Sequence, residues 1–375
     1  MKIKNCACTF VFLAFILTFA ILLVALPHSD YSENEKRVLA EFPEFTPKSV
    51  MDGSFTKGLE TYINDHFPCR DLFVGIHAYY NQLIGRGNAS GIYSLSDGSL
   101  VSAPAAVDEG KCNRNLATLE SFADKLSLPT AIIIMPSAGY IKSEQLPFGA
   151  GEYSDDLIFA SAGSTFGDVE LIDLRELYKN EESSGKDIYY NTDHHVTSYG
   201  SYLAYLEYCK LRGITPTEGH TDIEVLHDFY GTGYSQSGLW LTRPDTLEIW
   251  HSPLGYSFCV TVDDITEKKT FDGLYVDAHR EKLDKYPVFL DGNHAITTIT
   301  NESLEEGKTL LIVKDSYAHC FSTFACDQYK AVCLVDLRYY RGSVSDVAAE
   351  IGADELLYIF GAENLATLSE LALLR

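Results

Sequence analysis

Three residues carry the chemistry this sequence could perform. Asp193 stands two residues before His195 in Tyr189-Tyr190-Asn191-Thr192-Asp193-His194-His195-Val196-Thr197, and Ser316 closes Thr309-Leu310-Leu311-Ile312-Val313-Lys314-Asp315-Ser316. A serine hydroxyl becomes a nucleophile when a base takes its proton, and the base acts when a carboxylate holds its tautomer. Such triads occur in several chain orders, so Asp, His, Ser is admissible. The chemistry would be acyl transfer, with backbone N–H groups stabilising the oxyanion. Taken by itself, Lys314-Asp315-Ser316 reads first as a polar strand end capping the next helix. The Asp193-x-His195 pair shifts that reading to a nucleophile.

Neighbouring residues compete for these roles. His194 could serve as base instead of His195. Asp315 is adjacent to Ser316 and so is badly placed to orient a histidine bound to it. His319 reads as a surface or supporting residue. A metal site on Asp193, His194 and His195 is a minor alternative, because adjacent residues of a strand point to opposite faces. The N–H of Ser316 is the natural first oxyanion donor, and Asn293, after Gly292, offers a side-chain donor or a plain turn. Arg338 could bind a sugar or an anionic group, or pair with one of many carboxylates. Tyr317, Tyr339 and Tyr340 could stack on a sugar, although with 24 Tyr in the chain packing is the default for each.

These residues need elements that hold them. Leu310–Val313 is a short apolar run with a β-branched end, the pattern of a strand buried in a parallel sheet. Open α/β sheets place their chemistry at the carboxyl ends of such strands. Thr130–Met135, Val169–Leu174, Ala331–Val335 and Leu356–Phe360 read as further strands. Helical spacing covers Leu59–Phe67, Asp71–Leu83, Asn113–Leu126, Ser198–Leu211 and Val344–Ile351. Gly91–Leu100 alternates around Asp97-Gly98, a hairpin signal, and 231–288 reads as loops and antiparallel strands. Strands alternating with helices predict an α/β fold with a mostly parallel sheet flanked by helices.

Before this body comes an apolar run from Ala7 to Leu26, preceded by Lys2 and Lys4 and ended by Pro27. About twenty such residues cross a bilayer, and the basic flank predicts a single-pass anchor with the body outside the cytoplasm. A cleaved signal peptide is the alternative, but Ala25-Leu26-Pro27 is a poor cleavage site. The expected division is an anchor over 1–29, a connector with helical segment over 30–100, and the α/β domain over 101–375. The composition, 46% hydrophobic and 22% charged, is that of a globular chain. The net charge of −24 excludes nucleic acid as a partner, whose binders carry basic patches. Nine Cys include Cys6 and Cys8 in the anchor region, and without a Cys-x-x-Cys they do not suggest zinc. Cys320 and Cys326, near Ser316, read as core residues. No Walker-type loop calls for a nucleotide, and no cofactor is expected.

Several strings together resemble the DHHW family, named for its Asp-His-His-Trp motif: Glu33-Asn34-Glu35-Lys36-Arg37, Asp65-His66-Phe67-Pro68-Cys69-Arg70, Asp193-His194-His195, Tyr286 through His294, Lys314-Asp315-Ser316-Tyr317 and Asp336-Leu337-Arg338-Tyr339-Tyr340. That family is similar to the alginate O-acetyltransferase proteins, which have an SGNH-hydrolase-like fold. Val196 stands where the family has Trp, which touches the substrate inference more than the triad. The resemblance implies Ser316 as nucleophile, His195 as base and Asp193 as its orienting carboxylate. Lys314-Asp315-Ser316 would correspond to Gly-Asp-Ser of SGNH enzymes, with Lys314 in place of the Gly of the oxyanion hole. The Asp-His-His string also resembles DHH phosphoesterases, whose further Asp motifs are not evident here.

The resemblance implies acetyl transfer to an extracellular polysaccharide, the acyl group coming from a membrane-bound, multi-span partner. Two other readings stay open: a glycan esterase using the same triad, and a non-catalytic glycan-binding or scaffold protein on the same fold. Exclusion of water would separate transferase from esterase.

Overall fold

The structure, a computed structural model, describes residues 2–264 and 266–374. The side chains of residues 2–7, 88 and 89 lie outside that description, among them Lys2, Lys4 and Cys6, and so do Met1 and Arg375 at the ends of the expected domain division. Two compact units emerge, Met1–Ser90 with Tyr234–Leu241, and Gly91–Gly233 with Thr242–Arg375.

The second unit is built on one eight-stranded sheet. In chain order its strands are β1 (Thr130–Met135), β2 (Glu170–Asp173), β3 (Phe258–Asp263), β4 (Lys268–Asp272), β5 (Ile296–Asn301), β6 (Thr309–Lys314), β7 (Ala331–Val335) and β8 (Glu355–Gly361). Their order across the sheet is β4-β3-β5-β7-β6-β8-β1-β2. From β7 to β2 every pairing is parallel, and β5, β3 and β4 continue it as an antiparallel edge. The α/β expectation therefore holds, with the mostly parallel sheet flanked by helices. Strand β5 lies in a stretch not singled out from the sequence, since its residues, Ile-Thr-Thr-Ile-Thr-Asn, are half-polar with no apolar alternation, and its place at the seam comes from pairing with β3 and β7.

Strand β6 sits in the middle. Alternate residues of a strand face opposite sides, so Leu310 and Ile312 enter one core while Leu311 and Val313 enter the other. Both faces are covered, which explains an unbroken apolar run instead of alternation. The first core packs helices Ser198–Arg212 and Ala318–Ala325, the second packs Glu109–Leu126 and Val344–Ile351. After β6 the chain crosses to β7, and after β7 it returns to β8 on the other side of β6. This reversal of direction opens a crevice at the carboxyl end of β6.

The first unit holds the helix Lys2–Ala25, whose stretch Cys8–Ala25 has a mean hydropathy of 2.8 and is long and apolar enough to cross a membrane as an anchor or a signal sequence. The strings Glu33–Arg37 and Asp65–Arg70, far apart in sequence, meet here. Arg37 forks onto Asp65, and Arg70 reaches Glu35 at 2.6 Å. The Pro-punctuated connector also contains a short helix, Pro47–Met51, because Thr46 caps it and Pro47 occupies its first turn.

Candidate active site

Local geometry explains the Asp-x-His spacing. Residues 191–195 form a bend closed by the bridge Tyr189↔Val196, and Thr197 caps the helix Ser198–Arg212 directly after it. Asp193 Oδ1 accepts the backbone N–H of His195 at 3.0 Å, an Asx turn, and the same oxygen meets His195 Nδ1. A spacing of two therefore lets one carboxylate fix both the backbone and the ring of the histidine. The other nitrogen, Nε2, lies 2.7 Å from Ser316 Oγ. Asp193, His195 and Ser316 are thus brought together from positions 121 residues apart, all three buried. His194 meets a different partner, its Nδ1 2.6 Å from Thr232 Oγ1.

The bend also corrects the argument made against a metal. Because 191–195 is not a strand, the rings of His194 and His195 lie on one side, 3.9 Å apart, and ligand atoms of Asp193, His194 and His195 fall within 4.8 Å of one another. Most of the atoms involved are already engaged. His195 Nε2 and Nδ1 meet Ser316 and Asp193, His194 Nδ1 meets Thr232, and Asp193 Oδ2 accepts the N–H of Thr232 at 2.7 Å. The donor set is that of a hydrogen-bonded relay.

Several supporting residues had no role assigned from the sequence. Tyr286 stacks on the His195 ring with centroids 3.7 Å apart and 8° between planes, and its hydroxyl donates to the Ser316 carbonyl at 3.3 Å. Thr232 donates twice to Asp193 Oδ2. Gly231 leaves no room for a side chain, since a Cβ there would stand 2.1 Å from that of Asp193. Asp245 receives the N–H groups of Asn191 and Thr192 at 2.8 and 2.7 Å and the Thr192 hydroxyl at 2.6 Å. Burial pushes its carboxyl up, and these donors pull it back. Gly231, Thr232 and Asp245 are 38 to 54 residues from the residues they hold, so no local pattern marks them.

Asp315 is not the orienting carboxylate. It accepts from Tyr317 N, Gly361 N and Asn364 Nδ2 at 2.8–3.0 Å, tying the turn after β6 to the end of β8. Lys314 is fully buried, contacting Asp336 Oδ2 at 3.1 Å and His319 Nε2 at 2.7 Å. His319 is therefore interior, which corrects the surface alternative, because the first turn of the helix after Ser316 faces the sheet. Burial, reinforced by Lys314, holds His319 well below the usual imidazole range. Arg338 and Lys314 keep Asp336 ionised against its burial.

The substrate-facing candidates divide into two groups. Tyr317 is buried with its hydroxyl donating to the His194 carbonyl at 2.8 Å, so it braces the histidine bend and offers no free ring to a sugar. Arg338 forks onto Asp336 and also donates to Asn293 Oδ1 at 3.1 Å, with its guanidinium 5.6 Å from the Tyr339 ring. Asn293 and Tyr339 are exposed, Tyr339 at 48%. Tyr340 is half-buried. Val196 is fully buried in the core, so its difference from the family's Trp is a matter of packing. Cys320 and Cys326 are buried as expected, and every cysteine whose side chain is described is unpaired.

With this geometry in view, the DHHW protein family model matches residues 163–335, a span that contains Asp193, His195 and Ser316. Among solved structures, the chain is similar to a DHHW family protein from Eubacterium siraeum, with 21% identity and a TM-score of 0.66 over 76% of this chain and 95% of that one. It is also similar to Bacillus cereus PatB1, solved with a sulfonyl adduct, with 17% identity and a TM-score of 0.63 over 76% of this chain and 100% of that one. A looser likeness, at 14% identity and a TM-score of 0.45, links 74% of this chain to 92% of the O-acetyltransferase domain of Pseudomonas putida AlgJ. No curated protein matches the chain. The likeness to the DHHW family is thus present in the sequence match and in the fold.

Proposed function

We propose that this chain is a membrane-anchored acyltransferase that places an acetyl group on a hydroxyl of an extracellular polysaccharide. The observation that carries the reading is the unbroken line of hydrogen bonds from Asp193 through His195 to Ser316, at the carboxyl end of a central parallel strand. Ser316 Oγ attacks the acyl carbonyl as its proton passes to His195 Nε2, and Asp193 steadies the imidazolium through Nδ1–H. The N–H of Ser316 and the first turn of Ala318–Ala325 favour the negative charge that develops on the carbonyl oxygen. The first alcohol leaves with the proton from His195. A glycan hydroxyl then attacks the acyl-enzyme, giving its proton to His195, and Ser316 is restored.

In this scheme Asn293, Arg338 and Tyr339 form a polar and aromatic rim that receives the glycan, while Tyr317 and Tyr286 hold the histidine. The helix Lys2–Ala25 remains as a single-pass anchor with the body outside the cytoplasm, and a membrane-bound partner delivers the acyl group. The functional division is an anchor over 1–29, a connector over 30–100 and the reacting domain over 101–375. No cofactor enters the scheme.

The test uses the full chain in detergent. Hydrolysis of p-nitrophenyl acetate should fall by roughly 10³-fold or more in Ser316→Ala and His195→Ala with the folds intact. Phenylmethanesulfonyl fluoride should transfer its sulfonyl group to Ser316, fluoride leaving and the proton passing to His195, in keeping with the sulfonyl adduct of PatB1. Equal activity in all three proteins would remove Ser316 as nucleophile. Silence in both assays would favour the binding or scaffold reading, and turnover by water undiminished in the presence of polysaccharide would favour the esterase.

A further inference from the structure

The helix Arg70–Leu83 in the first unit presents an apolar face that the described residues of its own unit leave largely uncovered. Gly75, Ala78 and Asn81 are buried on one side, and Trp240 Nε1 donates to the Asp71 carbonyl at 2.8 Å. On the other side Leu72, Phe73, Ile76, Tyr80 and Leu83 are exposed, with Ile84 just past the helix end. Leu72 is 60% and Leu83 85% exposed. At about 100° per residue these six fall within an arc of roughly 120°, the width of an apolar stripe that normally packs on something. The charged groups are drawn off the stripe, Arg70 to Glu35 and Asp71 to Asn34.

The anchor helix shows what that something is. Phe19 of the apolar run stacks on Phe67 with centroids 5.1 Å apart and 5° between planes, and meets Phe73 edge-on at 5.8 Å. Phe19 is six residues from the helix end at Ala25, about 9 Å down its axis. Amphipathic helices lying on a bilayer sink their apolar face about 5–10 Å, which is the depth Phe73 would have if Cys8–Ala25 spans the membrane. Tyr80 suits the same depth, since tyrosine gathers where apolar chains meet headgroups.

We propose that the helix Arg70–Leu83 lies in the bilayer surface beside the anchor, with Leu72, Phe73, Ile76, Tyr80 and Leu83 among the upper acyl carbons. The occupant of the face is lipid. With a net charge of −24 the attachment is apolar rather than electrostatic, so it does not need anionic headgroups and does not weaken with salt. The proposal rests on the anchor reading of Cys8–Ala25 and is independent of the acyl-transfer reading.

The test places a reporter on the stripe of the full chain. Ile76→Trp and Leu83→Trp are each reconstituted into phosphatidylcholine nanodiscs with brominated acyl chains, the unsubstituted chain giving the background of Trp240 and Trp250. Both added indoles should be quenched about twofold, as expected for rings at the headgroup–acyl boundary, and equally at low and high salt. The two positions are about 10 Å apart along the helix, so equal quenching means that the helix lies flat. Water-like, unquenched emission overturns the docking, and so does quenching at one position alone. A blue-shifted but unquenched indole also overturns it, since protein, such as a second copy, would then cover the face. Flotation with vesicles after a carbonate wash separates the premises: flotation without quenching removes only the docking, and loss of flotation removes the anchor with it.

Discussion

Asp193 and Asp315 are both buried, both near Ser316, and differ only in what their oxygens hold. Asp193 divides its oxygens between His195 and Thr232, while Asp315 spends its own on Tyr317, Gly361 and Asn364. One carboxylate thus holds the His195 ring and the other ties two strand ends. Asp193→Asn should lower kcat/KM for p-nitrophenyl acetate by roughly 10³- to 10⁴-fold, because an amide favours the wrong imidazole tautomer, with little change in Tm. Asp315→Asn should do the reverse. It weakens charge-assisted bonds, each contributing about 1.5–3 kcal/mol, and so lowers Tm first. Steady-state kinetics and thermal unfolding on both variants check this, and equal activity losses would erase the division. Ser316, Asp193 and His195 were legible because their types and spacing carry chemistry on their face. Tyr317 was legible as an aromatic near the site, but its role was not, since only the fold shows its hydroxyl turned to the His194 carbonyl.

The bend 189–196 works because distant elements clamp it. Asp245, opening the strand Asp245–Trp250, holds Asn191 and Thr192 from one side. Gly231 and Thr232 close on Asp193 from another, and Gly231 N donates to Thr192 Oγ1 at 3.0 Å. Gly231→Ala would set a methyl group 2.1 Å from the Asp193 Cβ, so the two backbones must separate. The expected cost is about 1–3 kcal/mol of stability, as for overpacking in a core. Activity should fall further than stability, because the separation pulls Thr232 off Asp193. Denaturant unfolding and turnover of the purified variant test the pair, and unchanged turnover would show the clamp to be idle. No periodicity or spacing could have marked Gly231, because the demand on it comes from a carboxylate 38 residues away. Strand β5 escaped for a related reason, its position being set by its partners β3 and β7 and not by its own pattern.

Across the second unit, the buried Lys314, His319 and Asp336, joined by the half-buried Arg338, link the ends of β6 and β7 and should make stability depend on pH. His319 accepts from Lys314 at Nε2, which puts its proton on Nδ1, a buried atom with no partner among the described residues. Burial first, and then the Lys314 charge, depress its pKa, so the folded protein holds it neutral. The unfolded chain takes up that proton near pH 6.5. Below this value the unfolded state binds more protons, so the contribution of His319 is present above about pH 6.5 and is lost as pH falls toward the depressed folded value. His319→Gln keeps an acceptor for Lys314 and removes the titration. Between pH 7.5 and 5.5, values chosen to bracket that midpoint, the Tm of the parent should fall more than that of the variant. Parallel curves would show that His319 does not carry the dependence.

The sequence by itself determined the parts whose causes are local. Apolar runs became strands of a covered sheet because their residues can be satisfied only by burial on both faces. The run Ala7–Leu26 became a long exposed helix because it has no polar side to present. The strings shared with the DHHW family pointed to the fold and to Asp193, His195 and Ser316. The tertiary structure alone decided that His194 meets Thr232, that Thr232 and Asp245 hold the bend, and that Tyr286 lies flat on the His195 ring. It also decided that His194 and His195 share a side, since an isolated string is read as a strand and only the bridge Tyr189↔Val196 and the hold of Asp245 make it a bend. The physical reason is common to these cases. A backbone preference is settled within a few residues, whereas the direction of a polar side chain is settled by whichever partner the fold brings within hydrogen-bond distance, and here those partners come from 38 to 121 residues away.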